Sequence, residues 1–455
     1  MISYRSLRIH ATLLVLAAAA LPGLAGVLPL QDNRWDNPAF VAAFTGTYGF
    51  DTERNPGISA EEKKLFETIT PLIGSRPDEA VTLLTAAITP ASSGALDYTL
   101  ANIHFQAGRA PEAIAAYRAA LKKFPNFVRA HRNLGMLFVQ QGQFAEALPE
   151  LQQAAATGGL DGSILGLIGY CYLNLGRTAS ALDAYRLALI FEPASRDWRL
   201  GKAQCLLLIG ENKEGIAMLD EMLAEQSGEA TLLLLQANAF LADGQAEKAA
   251  ANIQVVRALG KASAESLVLL GDIFINQGNT AVAVDAYLAA LDAGKLGTER
   301  ELHLVRALAA RSAWAEADVV LQRIRKGASD ASAAASLELM NLEAQVALGR
   351  DDDARAAEIL EGVVAKDPLN GRALLLLADY HAKQDDIERA ELYYERAARV
   401  TDTAPDALIQ HARLLVSRRD FAKAAQLLTR AQSLRPQAHV AAYLSKVETA
   451  AQSVR

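Results

Sequence analysis

Two cysteines, seven histidines and scattered arginines and amides are the side chains of this sequence with the most chemistry to offer. Cys171 and Cys205 could act as thiolates or soft metal ligands, but two cysteines make neither a disulfide framework nor a metal cluster. The histidines are scattered, and His104, His381 and His411 read as packed or half-exposed structural side chains. The sequence contains no Gly-x-Ser-x-Gly elbow, no Gly-rich loop ending in Lys-Ser/Thr and no His-Glu-x-x-His pair. Nucleophilic, phosphate-handling and zinc-hydrolytic chemistry therefore find no motif here. The expectation is a non-enzyme with no catalytic residue, no metal, no cofactor and no small-molecule substrate.

What the chain does carry is periodicity. Gly108, Gly142, Gly176, Gly210, Gly244 and Gly278 lie 34 residues apart. With glycine at about 7% of residues, such a run arises by chance on the order of once in a million. Five positions later stand Ala113, Ala147, Ala181, Gly215, Ala249 and Ala283, and seven further on Ala120, Ala154, Ala188, Met222, Val256 and Ala290. Pro125 and Pro193 close their units. Each unit reads as two amphipathic helices joined by a tight turn. Glycine supplies positive φ past the first helix, alanine lets the helices cross closely, and proline ends the second helix. Past Gly278 the register continues with Ser312, Ala317 and Ile324. It slips by five residues at a predicted longer loop over 327–335, and resumes through Ala356, Ala390 and Ala424.

These residues resemble the tetratricopeptide repeat. The likeness is clearest in Leu100-Ala101, His104, Ala113, Tyr117, Ala120, Pro125, in Ile168-Gly169, Tyr172, Ala181, Tyr185, Ala188, Pro193, and in Leu270-Gly271, Phe274, Ala283, Tyr287, Ala290. It implies an all-α, right-handed α-solenoid superhelix of helix-turn-helix repeats. About eleven units run over 61–438, with a degenerate first one at Ala80, Leu84 and Ala87 and a capping helix over 439–455. Cys171 and Cys205 fall at equivalent positions of adjacent units. Neighbouring helices lie about 8–10 Å apart, too far for disulfide geometry, so two free buried thiols are expected.

The resemblance also implies a concave groove lined by the first helix of each unit. Its register assigns Tyr98, Asn102, Gln106, Arg129, Arg132, Asn133, Gln140, Tyr170 and Asn174 to that surface. Guanidinium forks suit carboxylates, and amides suit an extended peptide backbone. Repeats that clamp acidic C-termini carry a Lys where this chain has Tyr98, and basic residues where it has Ser163 and Leu167. The middle groove is apolar, with Leu200, Leu207, Leu234, Leu241, Val268 and Ile275.

The first residues differ. Arg5 and Arg8, an eleven-residue largely apolar run from Ala11 to Leu21, the helix breakers Pro22-Gly23 and the small Gly23 and Ala25 read as a signal peptide over 1–25, cleaved near Ala25. An uncleaved signal would serve as a membrane anchor. Residues 26–60 do not repeat, and Trp35, Phe40, Phe44, Tyr48 and Phe50 concentrate aromatics there. They read as a cap on the first repeat or as a docking segment. A formal charge of −7 without a basic run argues against nucleic acid. The functional expectation is a periplasmic protein–protein interaction scaffold of the bacterial cell envelope that holds a protein or peptide in its groove. The alternative is a regulatory or targeting subunit of an envelope enzyme, secretion, polysaccharide-export or TonB-type system.

Overall fold

The computed structural model describes residues 27–30, 55–158, 161–294, 296–327 and 333–453. The signal region 1–25 and the aromatics Trp35, Phe40, Phe44, Tyr48 and Phe50 lie outside the described residues. Two compact units divide the chain, one over 18–260 and one whose described residues begin at 261. Among the described residues both are all-α.

In the first unit the helices pair in chain order: α1 (Ala60–Ser75) with α2 (Pro77–Ala87), α3 (Gly94–Gln106) with α4 (Ala110–Lys123), α5 (Val128–Gln140) with α6 (Phe144–Ala156), α7 (Gly162–Asn174) with α8 (Thr178–Phe191), α9 (Arg196–Leu208) with α10 (Asn212–Glu225), and α11 (Ala230–Ala242) with α12 (Ala246–Ala258). The second unit continues with α13 (Ala264–Asn276) and α14 (Thr280–Ala293), α15 (Thr298–Ala309) and α16 (Trp314–Gly327), α17 (Ala333–Gly349) and α18 (Asp353–Lys366), α19 (Gly371–Lys383) and α20 (Ile387–Ala397), α21 (Ala404–Ser417) and α22 (Phe421–Leu434), and a last helix α23 (Ala438–Ser453). Within each unit successive pairs stack, and first helices such as α5, α7 and α9 also touch one another directly. The result is an α-solenoid in which each pair shares its core with its neighbours.

The turns explain the spacing. All six repeat glycines have φ between +71° and +85°. The N–H of the following residue returns to the carbonyl five positions back, as from Arg109 to His104, Gln143 to Phe138 and Asn279 to Phe274. This is a Schellman closure, which satisfies helix-terminal carbonyls at the cost of one left-handed residue. Where glycine is missing the backbone keeps the conformation: Ser312, Asp351, Asp385 and Arg419 have φ of 57°, 60°, 60° and 65°. The same closure follows them, from Ala313 to Leu308, Asp352 to Ala347, Asp386 to His381 and Asp420 to Leu415.

The alanine slots are the helix crossings. Ala113, Ala147, Ala181, Ala249, Ala283, Ala317, Ala356, Ala390 and Ala424 are all fully buried. Close approach also explains Gly271, where an added Cβ would run into the ring of Tyr287. The first pair, weakest in sequence, is built alike: Ala80 and Leu84 are buried against Phe66, Ile69 and Leu72. Its α1 opens on a capping box, with the Glu62 backbone N–H donating to Ser59 Oγ at 3.2 Å and the Ser59 N–H to Glu62 Oε2 at 2.7 Å. One expectation is corrected. The loop read over 327–335 is shorter, because α17 already begins at Ala333 and its run of alanines favours helix.

A left-handed conformation costs an L-residue about 1–2 kcal/mol, part of which glycine returns as unfolded-chain entropy. Arg419→Gly should therefore stabilise the chain by roughly 0.5–1 kcal/mol, and Gly244→Ala should destabilise it by a similar amount or more. Urea denaturation midpoints of the two variants against wild type measure both signs.

Candidate partner-binding groove

The first helices α3, α5 and α7 carry the nine residues assigned to the groove, and the structure divides them. Tyr98, Asn102 and Asn133 are buried, at 1%, 5% and 2% exposure. Their polar atoms meet one another. Asn133 Nδ2 donates to Tyr98 Oη at 3.0 Å and to Asn102 Oδ1 at 3.1 Å, and Tyr117 Oη donates to Asn102 Oδ1 at 2.5 Å. The expectation that these three face a partner is corrected: they form a hydrogen-bonded layer between α3, α4 and α5. Burial without partners would cost each group about 1–3 kcal/mol, so a closed network is the stable arrangement. Burial raises the Tyr98 pKa, opposed by its hydrogen bond with Asn102 and by the charges of Arg129 and Arg132.

The other six are accessible in part. Gln106 and Gln140 are exposed and line a cleft of about 510 Å³ with Phe105, Leu137 and the turn at Gly108. Arg129 and Arg132 are half-buried on α5. Arg132 lies 3.5 Å from Asp161, which also caps α7 through the Ile164 N–H at 2.6 Å. Tyr170 packs edge-on against Phe144, and Asn174 Nδ2 donates to the Tyr170 carbonyl at 2.9 Å. Farther along, the basic side chains are paired: Arg199 with Glu225 at 2.7 Å and Lys202 with Glu214 at 3.2 Å.

One slot was not singled out from the sequence. In three pairs the residue 15 positions before the second-helix tyrosine accepts its hydroxyl: Asn102 from Tyr117, Asp272 from Tyr287 at 2.6 Å, and Asp379 from Tyr394 at 2.6 Å. In the fifth and sixth pairs that slot holds Gln204 and Asn238, but the tyrosine is replaced by Leu219 and Ile253. Neither pair therefore supplies a tyrosine hydroxyl at that slot. Gln204 Oε1 instead accepts the backbone N–H of Leu28, 176 residues away, at 3.4 Å. A position-by-position comparison of the slot across units is the signal that could have found it.

Both cysteines and two of the histidines are packed inside the repeats. Cys171 and Cys205 are free and buried, and burial raises both thiols to about 12. His381 and His411 are buried and stacked on Tyr393 and Tyr394. Among the described residues no group of three or more His, Cys, Asp or Glu could hold a metal ion, and no helix is long and apolar enough to cross a membrane.

Two outcomes follow. Asn133→Leu removes the amide that donates to both Tyr98 Oη and Asn102 Oδ1 and should cost about 1–3 kcal/mol in urea denaturation, whereas Gln140→Leu on the exposed rim should stay within about 0.5 kcal/mol. A thiol reagent at pH 8 should label neither cysteine in the native chain and both in denaturant without reductant, because thiols near 12 carry little reactive thiolate.

Residues 98–161, 134–195, 167–230, 234–297 and 341–407 each match the Tetratricopeptide repeat family. The chain is 31% identical over 103 residues to human protein O-mannosyl-transferase TMTC1, across 23% of this chain and 11% of that protein. It is 29% identical over 90 residues to the general transcriptional corepressor trfA of Dictyostelium discoideum, across 20% and 6%. The alignments thus span only a small part of either relative. A crystal structure of a tetratricopeptide repeat protein from Parabacteroides merdae superposes with a TM-score of 0.39 at 21% identity, covering 55% of this chain and 99% of that one. The family matches take in more than half of the sequence and fall on the helix pairs described above, so the chain belongs to the tetratricopeptide repeat family.

Proposed function

We propose that this protein is an exported, non-catalytic scaffold of the bacterial cell envelope that holds a protein partner in the groove of its first helices. The repeat family supports the coarser part, a protein-interaction scaffold. The finer part is supported by the signal-like residues 1–25 and by one observation in the fold. Beside the buried polar layer of α3, α4 and α5, the first helices α3, α5 and α7 carry the accessible side chains of Gln106, Arg129, Arg132, Gln140, Tyr170 and Asn174. Such a rim offers amide donors and acceptors and two guanidinium groups to a polypeptide with an acidic side chain or carboxylate. Held on stacked helices beside an internally bonded layer, it is already ordered before binding, which reduces the entropic cost of association. The same rim would serve a regulatory or targeting subunit, whose partner would be an envelope enzyme.

The test is cross-linked capture from intact envelopes with wild type and with Arg129→Ala/Arg132→Ala, which leaves the buried Asn133 layer intact. The expected result is a captured partner whose yield falls about tenfold or more in the variant, in line with the loss of charge-assisted hydrogen bonds. Equal capture by both proteins would remove the rim from the binding site. N-terminal sequencing of the exported chain should begin near Gly26; an intact Met1 would turn the scaffold into a membrane-anchored one.

A further inference from the structure

Residues 27–30, Val-Leu-Pro-Leu, pack on first helices far away in sequence. Leu28 joins the apolar cluster of Leu200, Leu207, Leu232 and Leu235 on α9 and α11. Val27 and Leu30 pack against the neighbouring cluster that runs from Tyr98 to Leu206. Between them the Leu28 N–H is donated to Gln204 Oε1. Pro29 has no N–H to satisfy and is the exposed member of the four. Three aliphatic side chains are thus buried in part and a backbone donor is paired, which is the pattern of a bound peptide.

The receiving helices have a matching peculiarity. Gln204 and Asn238 occupy the same slot of adjacent pairs, and both lack the tyrosine hydroxyl that fills this slot in the pairs of Asn102, Asp272 and Asp379. Gln204 is 6% exposed and accepts a peptide N–H. Asn238 Oδ1 is buried and has no hydrogen-bond partner. An orphaned buried carbonyl is costly, and a second main-chain N–H would satisfy it.

We propose that α9 and α11 form a binding site for an extended aliphatic peptide, in which Gln204 and Asn238 accept main-chain N–H groups and the leucines around Gln204 hold the side chains. Residues 27–30 are its resident ligand in cis. This rests on the groove reading above and specifies the partner's chemistry: an aliphatic, proline-tolerant segment that must displace the chain's own. Cleavage near Ala25 would leave residues 27–30 in the mature protein as its first residues but one. Covalent attachment gives the resident segment an effective concentration on the order of millimolar, so a free peptide of similar affinity is excluded until the segment is removed.

The probe is a labelled peptide of residues 26–31, titrated into the full chain and into Val27→Ser/Leu28→Ser/Leu30→Ser, whose changes lie outside every helix. The variant should bind it at least about tenfold more tightly than wild type, and adding Gln204→Leu should abolish the gain. In wild type the amide of Leu28 should exchange with solvent more slowly than in the isolated peptide, and Gln204→Leu should release it. Equal peptide affinity in the two chains, or free exchange of that amide in wild type, overturns the proposal. Both readouts need only this protein and its peptide. Failure to capture an envelope partner would sink the scaffold reading while leaving this site standing.

Discussion

A left-handed residue after the first helix of each pair from α3/α4 onward is the constraint on which the rest depends. It reverses the chain within a few residues while keeping both helices hydrogen-bonded, so that the second helix folds back along the first. The conformation persists at Ser312, Asp351, Asp385 and Arg419, although an L-residue there is strained by about 1–2 kcal/mol. Packing must outweigh that strain. The gain comes from the fully buried alanines at the crossings and from leucines and tyrosines that fill the space between one pair and the next.

Polar groups inside such a stack are mostly held in closed sets. The Tyr98, Asn102, Tyr117 and Asn133 layer closes on itself, and Asp272 gathers both the Tyr287 hydroxyl and the His303 ring at 2.9 Å. In the second unit Asp318 and Glu343, almost wholly buried, are held by Arg355 at 3.2 and 3.3 Å, with Arg350 on the former and Arg325 on the latter. Losing one member of such a set leaves a buried charge or dipole uncompensated, which is why these networks make poor binding surfaces and good spacers. Gln204 and Asn238 depart from this rule because their pairs put leucine and isoleucine where a hydroxyl would stand. At Gln204 the slot accepts a main-chain N–H, that of Leu28.

The proposed groove is therefore not uniform along the first unit. On α3, α5 and α7 the rim is polar beside a satisfied layer, suited to carboxylates and amides. On α9 and α11 the floor is leucine with amide acceptors, suited to an extended backbone with aliphatic side chains. A ligand lying along all five helices would meet guanidinium and amide groups first and leucine side chains second.

The 34-residue glycine spacing, the alanines five and twelve positions later and the prolines were enough to specify helix pairs and their turns. A repeat writes the same local physics many times, and a helix reads its own sequence through local hydrogen bonds and close neighbours. The end of the slip at 327–335 was less legible, because alanine-rich residues suit a helix start as well as a loop. Side-chain direction was the harder problem. Register alone put Tyr98, Asn102 and Asn133 on the partner's side, yet their burial depends on Tyr117 arriving from the second helix. Val27 to Leu30 belong to the non-repeating 26–60 stretch, and only the folded chain brings Leu28 to Gln204 across 176 residues. Local spacing determined the elements; which polar atoms are consumed and which remain to bind was decided by contacts between residues distant in sequence.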